Sequence, residues 1–229
     1  MTDIAENLMT VQKRIERACE NCGRSVEDVT LVAVSKKKEA PLLREAFEAG
    51  QLVFGENRVQ EVLAKQPELP SALQWHLIGH LQSNKVKHAI YCGFDVIHSI
   101  DSEKLLRRIN AESEEQGRVQ RIFLQVNVSG EGSKYGIPPD QLESLLQAAT
   151  GYHHVDIQGL MTIPPLAEDP GKAAPHFAAL RELRDRVAGS TGFALPELSM
   201  GMSHDMEIAI REGATLVRVG TDIFGARTA

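Results

Sequence analysis

Membrane-length apolar runs, an excess of basic charge and a cysteine framework are all missing from these 229 residues. Each absence removes a class of protein. A membrane-spanning helix needs about 20 consecutive apolar residues, and no run approaches that. Lysine and arginine number 25 against 31 aspartates and glutamates, a net charge of −6. No basic stripe is visible, so no nucleic-acid footprint is expected. The three cysteines, Cys19, Cys22 and Cys92, are an odd count, and the opening residues Met1 to Asn7 are acidic and polar rather than signal-like. That argues against a disulfide scaffold and makes a cytoplasmic location the expectation. Cys19 and Cys22 do form a C-x-x-C, but late in a helical run and just before Gly23, where the helix dipole does not lower a thiol pKa. They lack the second pair a zinc site needs and read as packing or helix-surface cysteines. The G-x-G-x-x-G dinucleotide fingerprint is missing too.

What is present is an alternation of short apolar runs with amphipathic stretches, the βα rhythm of a parallel sheet. A helix from Ile4 to Cys22 comes first. Strands are expected at Thr30–Ser35, Leu52–Asn57, Trp75–Gly79, Phe94–Ser99, Arg121–Val128, Val155–Met161, Leu198–Met200 and Leu216–Val219. Helices are expected at Pro41–Ala49, around Leu105–Ile109, after Pro138, at Gly171–Ala188 and at Asp205–Arg211. With 42% hydrophobic residues the chain can fill one core. The alternatives are an open doubly wound sheet and a closed barrel. Eight strands favour a single (β/α)8 TIM barrel with an extra N-terminal helix, residues 1–229 forming one domain.

In such a barrel the chemistry lies where strands end. Lys36 ends the first strand, Asn57 and Arg58 the second, His80 the third, His98 the fourth, Asn127 the fifth and Met161 the sixth. Ser203 follows the seventh and Gly220-Thr221 the eighth. A lysine held partly out of water can lose its proton and attack an aldehyde. Strand parity puts Lys36 on the face of Val32 and Val34; it excludes Lys37 but not Lys38. Ser203 is either a helix cap or, with Gly220-Thr221, a phosphate cradle. An amine beside a phosphate cradle points to a phosphorylated aldehyde, with pyridoxal 5′-phosphate (PLP) foremost. Arg218, inside an apolar strand, needs a partner, either a carboxylate such as Glu56 or Asp222 or the ring nitrogen of a pyridine cofactor. His76 and His80 have metal-like spacing on a strand, where i and i+4 do not converge, so no metal is expected. Trp75 reads as core or pocket wall, His153-His154 as structural, and Lys134-Tyr135 as part of a mobile polar loop.

The chain strongly resembles the pyridoxal phosphate homeostasis protein family, nearly end to end. The resemblance is carried by Leu31-Val32-Ala33-Val34-Ser35-Lys36, Phe54-Gly55-Glu56-Asn57-Arg58-Val59-Gln60-Glu61, and Trp75 through Lys85. It continues in Gly159-Leu160-Met161, Leu198 through Ser203 and Val217 through Gly225. It implies a barrel similar to the N-terminal domain of alanine racemase. It implies PLP held as a Schiff base on Lys36, phosphate on Ser203, Gly220 and Thr221, ring nitrogen facing Arg218, and Asn57 nearby. It also makes Lys134 relevant to cofactor handling. The implied role is intracellular buffering and delivery of PLP to PLP-dependent apoenzymes, without established turnover. Two departures stand out: Lys37-Lys38-Glu39 after Lys36, and His204 in Ser203-His204-Asp205-Met206.

Two other functions compete. A PLP-dependent racemase of alanine racemase type needs a second acid/base, commonly a tyrosine from an added domain. Of Tyr91, Tyr135 and Tyr152, only Tyr135 is expected near the mouth. The chain ends at Ala229, soon after the last strand, so an added domain is not expected and a monomer is. An aldolase-type lysine acting on a phosphosugar is the third reading.

Overall fold

The computed structural model describes residues 3–132 and 134–225. Met1, Thr2, Ser133 and residues 226–229, with the Ala229 end, lie outside the described residues. Eight parallel strands close into a barrel in sequence order. They are β1 Thr30–Val34, β2 Val53–Glu56, β3 Gln74–Leu77, β4 Val96–Ile100, β5 Gln120–Gln125, β6 Val155–Met161, β7 Glu197–Met202 and β8 Leu216–Val219. Closure runs from Thr30↔Leu216 to Ala33↔Val219. The helices are α1 Ile4–Cys22, α2 Ala40–Glu48, α3 Val59–Lys65, α4 Val86–Cys92, α5 Glu103–Glu115, α6 Leu142–Ala149, α7 Ala174–Thr191, α8 Met206–Arg211 and α9 Thr221–Phe224. Among the described residues no helix is long and apolar enough to cross a membrane.

Local chemistry explains the ends. The Asp3 side chain accepts from the N–H of Glu6 and starts α1, and left-handed Gly23 stops it. The α1 stripe Ile4, Leu8, Val11, Ile15 and Ala18 is buried against the barrel. Cys19 is buried in the same core, and the Cys22 thiol donates to the carbonyl of Ala18. In the strands, period-2 alternation sorts side chains to two faces. Outward residues such as Ala33, Phe54, Trp75, Leu77 and Ile97 join the helices in the large core. Trp75 lies there, 6.0 Å from the ring of Phe54, as packing. Inward residues Val32, Val96, Phe123, Met161 and Leu216, with Val53, make a separate apolar floor inside the barrel.

Two elements, β4 and α8, differ from the sequence reading in ways that matter for the site. β4 begins at Val96 and runs to Ile100, because the chain leaves left-handed Gly93 and buries Phe94 before it pairs. His98 is therefore inside a strand, not at its end. α8 begins at Met206, and the Asp205 carboxylate accepts from the N–H of Met202 at 2.6 Å. Ser203 consequently sits in the turn between β7 and α8 rather than opening the helix. Gly201 makes that turn possible. Its φ is +91°, and a Cβ there would lie 2.5 Å from the Cβ of Ala209.

Close backbone approach is the constraint at Gly159 in β6, where a Cβ would fall 2.0 Å from the carbonyl oxygen of Glu197 in β7. Gly159→Ala is expected to destabilise the fold by about 3 kcal/mol, since a backbone atom cannot step aside. Gly189, in α7, meets nothing within 4 Å. Gly189→Ala should gain roughly 0.5–1 kcal/mol from helix propensity. Urea unfolding of the two variants checks the contrast; equal stabilities would contradict this register of β6 on β7.

Candidate functional site

Going up each strand by two residues carries the inward face from the floor to the rim. From Val32 it passes Val34 to Lys36, from Val53 it passes Gly55 to Asn57, and from Leu216 it passes Arg218 to Gly220. The six residues singled out in the sequence thus gather on β7, β8, β1 and β2, four consecutive staves of the closed barrel.

Lys36 lies in a turn just past β1 and is half-buried. An ionic clamp on the outer side of β1 and β2 holds that turn. Glu56 is fully buried, and its Oε1 accepts from Ser35 Oγ at 2.7 Å and from Lys65 Nζ at 2.6 Å. Lys65 Nζ also donates to the carbonyl of Ser35 at 3.0 Å and reaches Glu61 at 3.4 Å. Glu61 in turn accepts from the backbone N–H of Lys37 at 2.6 Å. Lys37 has φ +60°, a strained conformation for a side chain with a Cβ, and this bond fixes it. Burial pushes the Glu56 carboxyl up, only partly offset by Lys65 and Ser35. Burial acts the same way on Glu61, but the Lys37 N–H and the Lys65 ammonium outweigh it and hold that carboxyl low. Lys38, the other lysine parity allowed, is engaged elsewhere. Its Nζ donates to the carbonyls of Phe224 and Gly225 at 2.8 and 3.3 Å, closing the C-terminal end of α9.

Arg218 is 4% exposed, inside the barrel one layer above the floor. Its Nη1 donates to Ser199 Oγ at 2.6 Å and its Nη2 to the carbonyl of Thr162 at 2.9 Å. Neither carboxylate expected from the sequence reaches it. Glu56 faces the opposite side of β2 and pairs with Lys65, because alternation puts it on the helix face. Asp222 sits beyond the barrel wall and pairs with Arg14. Burial pulls the Arg218 guanidinium down to about 10, with only the more distant charge of Asp205 opposing. The arginine stays protonated at neutral pH. It is a buried cation whose two contacts here are neutral oxygens, an arrangement that favours an electron-rich ligand group at its remaining N–H groups.

The loops after β7 and β8 come together through a residue the sequence reading missed. Arg14 of α1 donates to the carbonyl of Ser203 at 3.0 Å, pairs with Glu207 at 2.7 Å, and binds Asp222 next to Thr221. Gly220 lies against β1, where a Cβ would be 3.1 Å from the carbonyl oxygen of Val34. Thr221 opens α9, so the first N–H groups of that short helix have no acceptor within it. Asn57 is half-buried and lines a cavity of about 460 Å³ between the ends of β2 and β3, beside Arg58, His80 and Lys85.

The family model described as "Alanine racemase, N-terminal domain" matches residues 7–228. A pyridoxal phosphate homeostasis protein of Aquifex aeolicus is 44% identical over 223 residues, covering 97% of each chain. The solved structure of PipY from Synechococcus elongatus with PLP bound has a TM-score of 0.86 and 41% identity, covering 97% of this chain and 100% of that one. This chain belongs to the pyridoxal phosphate homeostasis protein family. An alanine racemase of Clostridium difficile shares the fold alone, with a TM-score of 0.77 at 13% identity, and this chain spans 57% of its length.

Other rim positions of this family member are organisers of loops. His80 stacks on Tyr135 with ring centres 3.9 Å apart and sits 3.2 Å from Asp101. Asn127 Oδ1 accepts from Ser129 Oγ and the N–H of Gly130. Gln125 donates to the carbonyl of Tyr135 at 3.1 Å. These bonds tie to the barrel the segment that the sequence suggested was a mobile loop. Half-buried Lys134 lies within it. His154 contacts the carbonyl of Arg118 and acts structurally. His76 faces the barrel interior and His80 the rim, so the two diverge.

The clamp around Lys36 is testable without any ligand. Lys65→Met leaves the Glu56 carboxylate buried with no countercharge and should cost about 3–5 kcal/mol. Glu56→Gln/Lys65→Met removes both charges and should recover most of the loss. Thermal unfolding distinguishes them; a single variant as stable as the parent would show that the clamp carries no weight.

Proposed function

We propose that this protein binds pyridoxal 5′-phosphate inside the C-terminal mouth of its barrel and serves intracellular PLP homeostasis. Lys36 holds the cofactor as a Schiff base, Ser203, Gly220 and Thr221 hold its phosphate, and Asn57 flanks it. Arg218 faces the ring nitrogen. The observation that carries this reading is the Arg218 guanidinium, buried on two neutral oxygens directly below the rim that Lys36 and Gly220 share. A pyridine nitrogen supplies the lone pair that such a cation lacks. Support comes also from the relatives' names and from the PLP found in PipY.

Bound PLP supplies an electrophilic carbonyl carbon for amines. The protein's residues bind and orient it: a half-buried amine at Lys36 forms the link, and Arg218, cationic at neutral pH, keeps the ring nitrogen unprotonated. That choice weakens the ring as an electron sink, which suits storage and release better than carbanion chemistry. The acid/base inventory agrees. Tyr91 is 79% exposed on α4 and Tyr135 is 60% exposed on His80, while Tyr152 contacts Glu103 on the outer helices. Tyr135, on the loop after β5, is the one of the three at the rim, and its ring is stacked on His80, while Tyr91 and Tyr152 lie outside the mouth. The role is buffering and delivery of PLP to apoenzymes.

Borohydride treatment of PLP-loaded protein should fix the cofactor to the peptide carrying Lys36, read by mass spectrometry. Lys36→Ala should lose both that adduct and the absorbance of the link with the fold intact. The adduct reappearing on Lys38 or Lys134 would contradict the assignment. Rapid α-proton exchange of amino acids in deuterated water by the parent protein would replace carriage with racemase-type catalysis.

A further inference from the structure

Behind Arg218 the barrel interior holds a row of polar side chains that the cofactor site does not use. Ser199 and His98 are fully buried and His76 is 5% exposed. Ser199 Oγ lies 2.9 Å from His98 Nδ1, and His98 Nε2 lies 2.9 Å from His76 Nδ1. Below them sits the apolar floor, with the Phe123 ring 4.5 Å from that of His98. The nearest charge in the row is Arg218, and no carboxylate contacts it among the described residues.

The direction of every hydrogen bond in this row follows from one end. A guanidinium only donates, so Ser199 Oγ accepts from Arg218 Nη1. The single hydroxyl proton of Ser199 then has His98 Nδ1 as its acceptor. His98, accepting at Nδ1, carries its own proton on Nε2 and donates to His76 Nδ1. His76 is left with its proton on Nε2. Protonating His98 would take away the acceptor of the Ser199 hydroxyl proton, and protonating His76 would set an N–H against that of His98. Burial, joined by the neighbouring His76 and the Arg218 charge, holds His98 well below its ordinary pKa, and burial takes His76 down to about 4.

We propose that His76 and His98 are positioning residues, a neutral one-way donor chain that aims the Ser199 lone pair at Arg218 and so fixes the guanidinium plane under the cofactor's ring nitrogen. The inference rests on the PLP-binding reading for its purpose, though not for its geometry. Two anchors, Ser199 Oγ and the Thr162 carbonyl, define the plane of the guanidinium and leave its other N–H groups for a ligand. A carboxylate in place of Ser199 would anchor the plane as well, but would neutralise the field that keeps the ring nitrogen unprotonated. Two neutral imidazoles satisfy the hydroxyl and cancel none of that charge.

The test has two parts. Long-range ¹⁵N–¹H correlation spectra of the histidines at pH 7.5, in cofactor-free protein, should show His76 and His98 as neutral Nε2–H tautomers, assigned with His76→Gln. An Nδ1–H tautomer or an imidazolium at either position overturns the proposal. Ser199→Ala should weaken PLP binding roughly tenfold or more, the loss of a hydrogen bond to a charged group, and should shift the absorbance of the bound cofactor. Ser199→Thr should restore both. Unchanged affinity and absorbance in Ser199→Ala would make the row mere packing. Failure of the Lys36 adduct would sink the PLP-binding reading but leave the tautomers as measured.

Discussion

A cation buried without a contacting carboxylate is the constraint around which this barrel is built. Burying a charge is costly unless hydrogen bonds and fields compensate. Arg218 has two neutral oxygen acceptors and the more distant Asp205. The interior around it is layered accordingly. The floor of Val32, Val53, Val96, Phe123, Met161 and Leu216 excludes water from below. Above the floor the side chains linked to Arg218 are the neutral Ser199, His98 and His76. Two N–H groups of Arg218 are thus engaged within the barrel, on Ser199 Oγ and the Thr162 carbonyl.

Charge is kept in its place by the two-faced geometry of the strands. The charges that clamp the rim loops lie outside the wall. Glu56, Glu61 and Lys65 grip the Lys36 turn from the helix side. Arg14 on the extra N-terminal helix and Lys38 grip the loops after β7 and β8. The rim residues that would meet a cofactor are thus held from behind, and the clamps do not occupy the mouth. This also gives α1 a function beyond burying apolar surface, since it spans the Ser203 and Asp222 loops.

Much of this was legible in the sequence. The ends of α1, β6 and β8 match because Asp3 and Gly23 mark the helix and turn-rich segments flank the strands. Lys36, Asn57, Ser203, Arg218, Gly220 and Thr221 fell on neighbouring staves because each follows or sits in a clear apolar run. The short helices α3, α4 and α9 were not seen; seven, seven and four residues give too little periodicity to read. His98 was placed at a strand end because Phe94 and Asp95 look like strand residues, whereas pairing starts only at Val96. Arg14 left no local signal, for its partners lie about 190 to 210 residues away and only closure brings them near. The carboxylates offered for Arg218 do not reach it, because strand alternation puts Glu56 outside with Lys65 and Asp222 lies on α9 with Arg14.

The most direct test is the protonation state of the ring nitrogen in ¹⁵N-labelled PLP bound to this protein. The account predicts a nitrogen resonance of an unprotonated, hydrogen-bonded pyridine, unchanged between pH 6 and 9 because Arg218 remains charged throughout. A pyridinium resonance at neutral pH would mean that Arg218 does not face the ring, and would contradict the central claim.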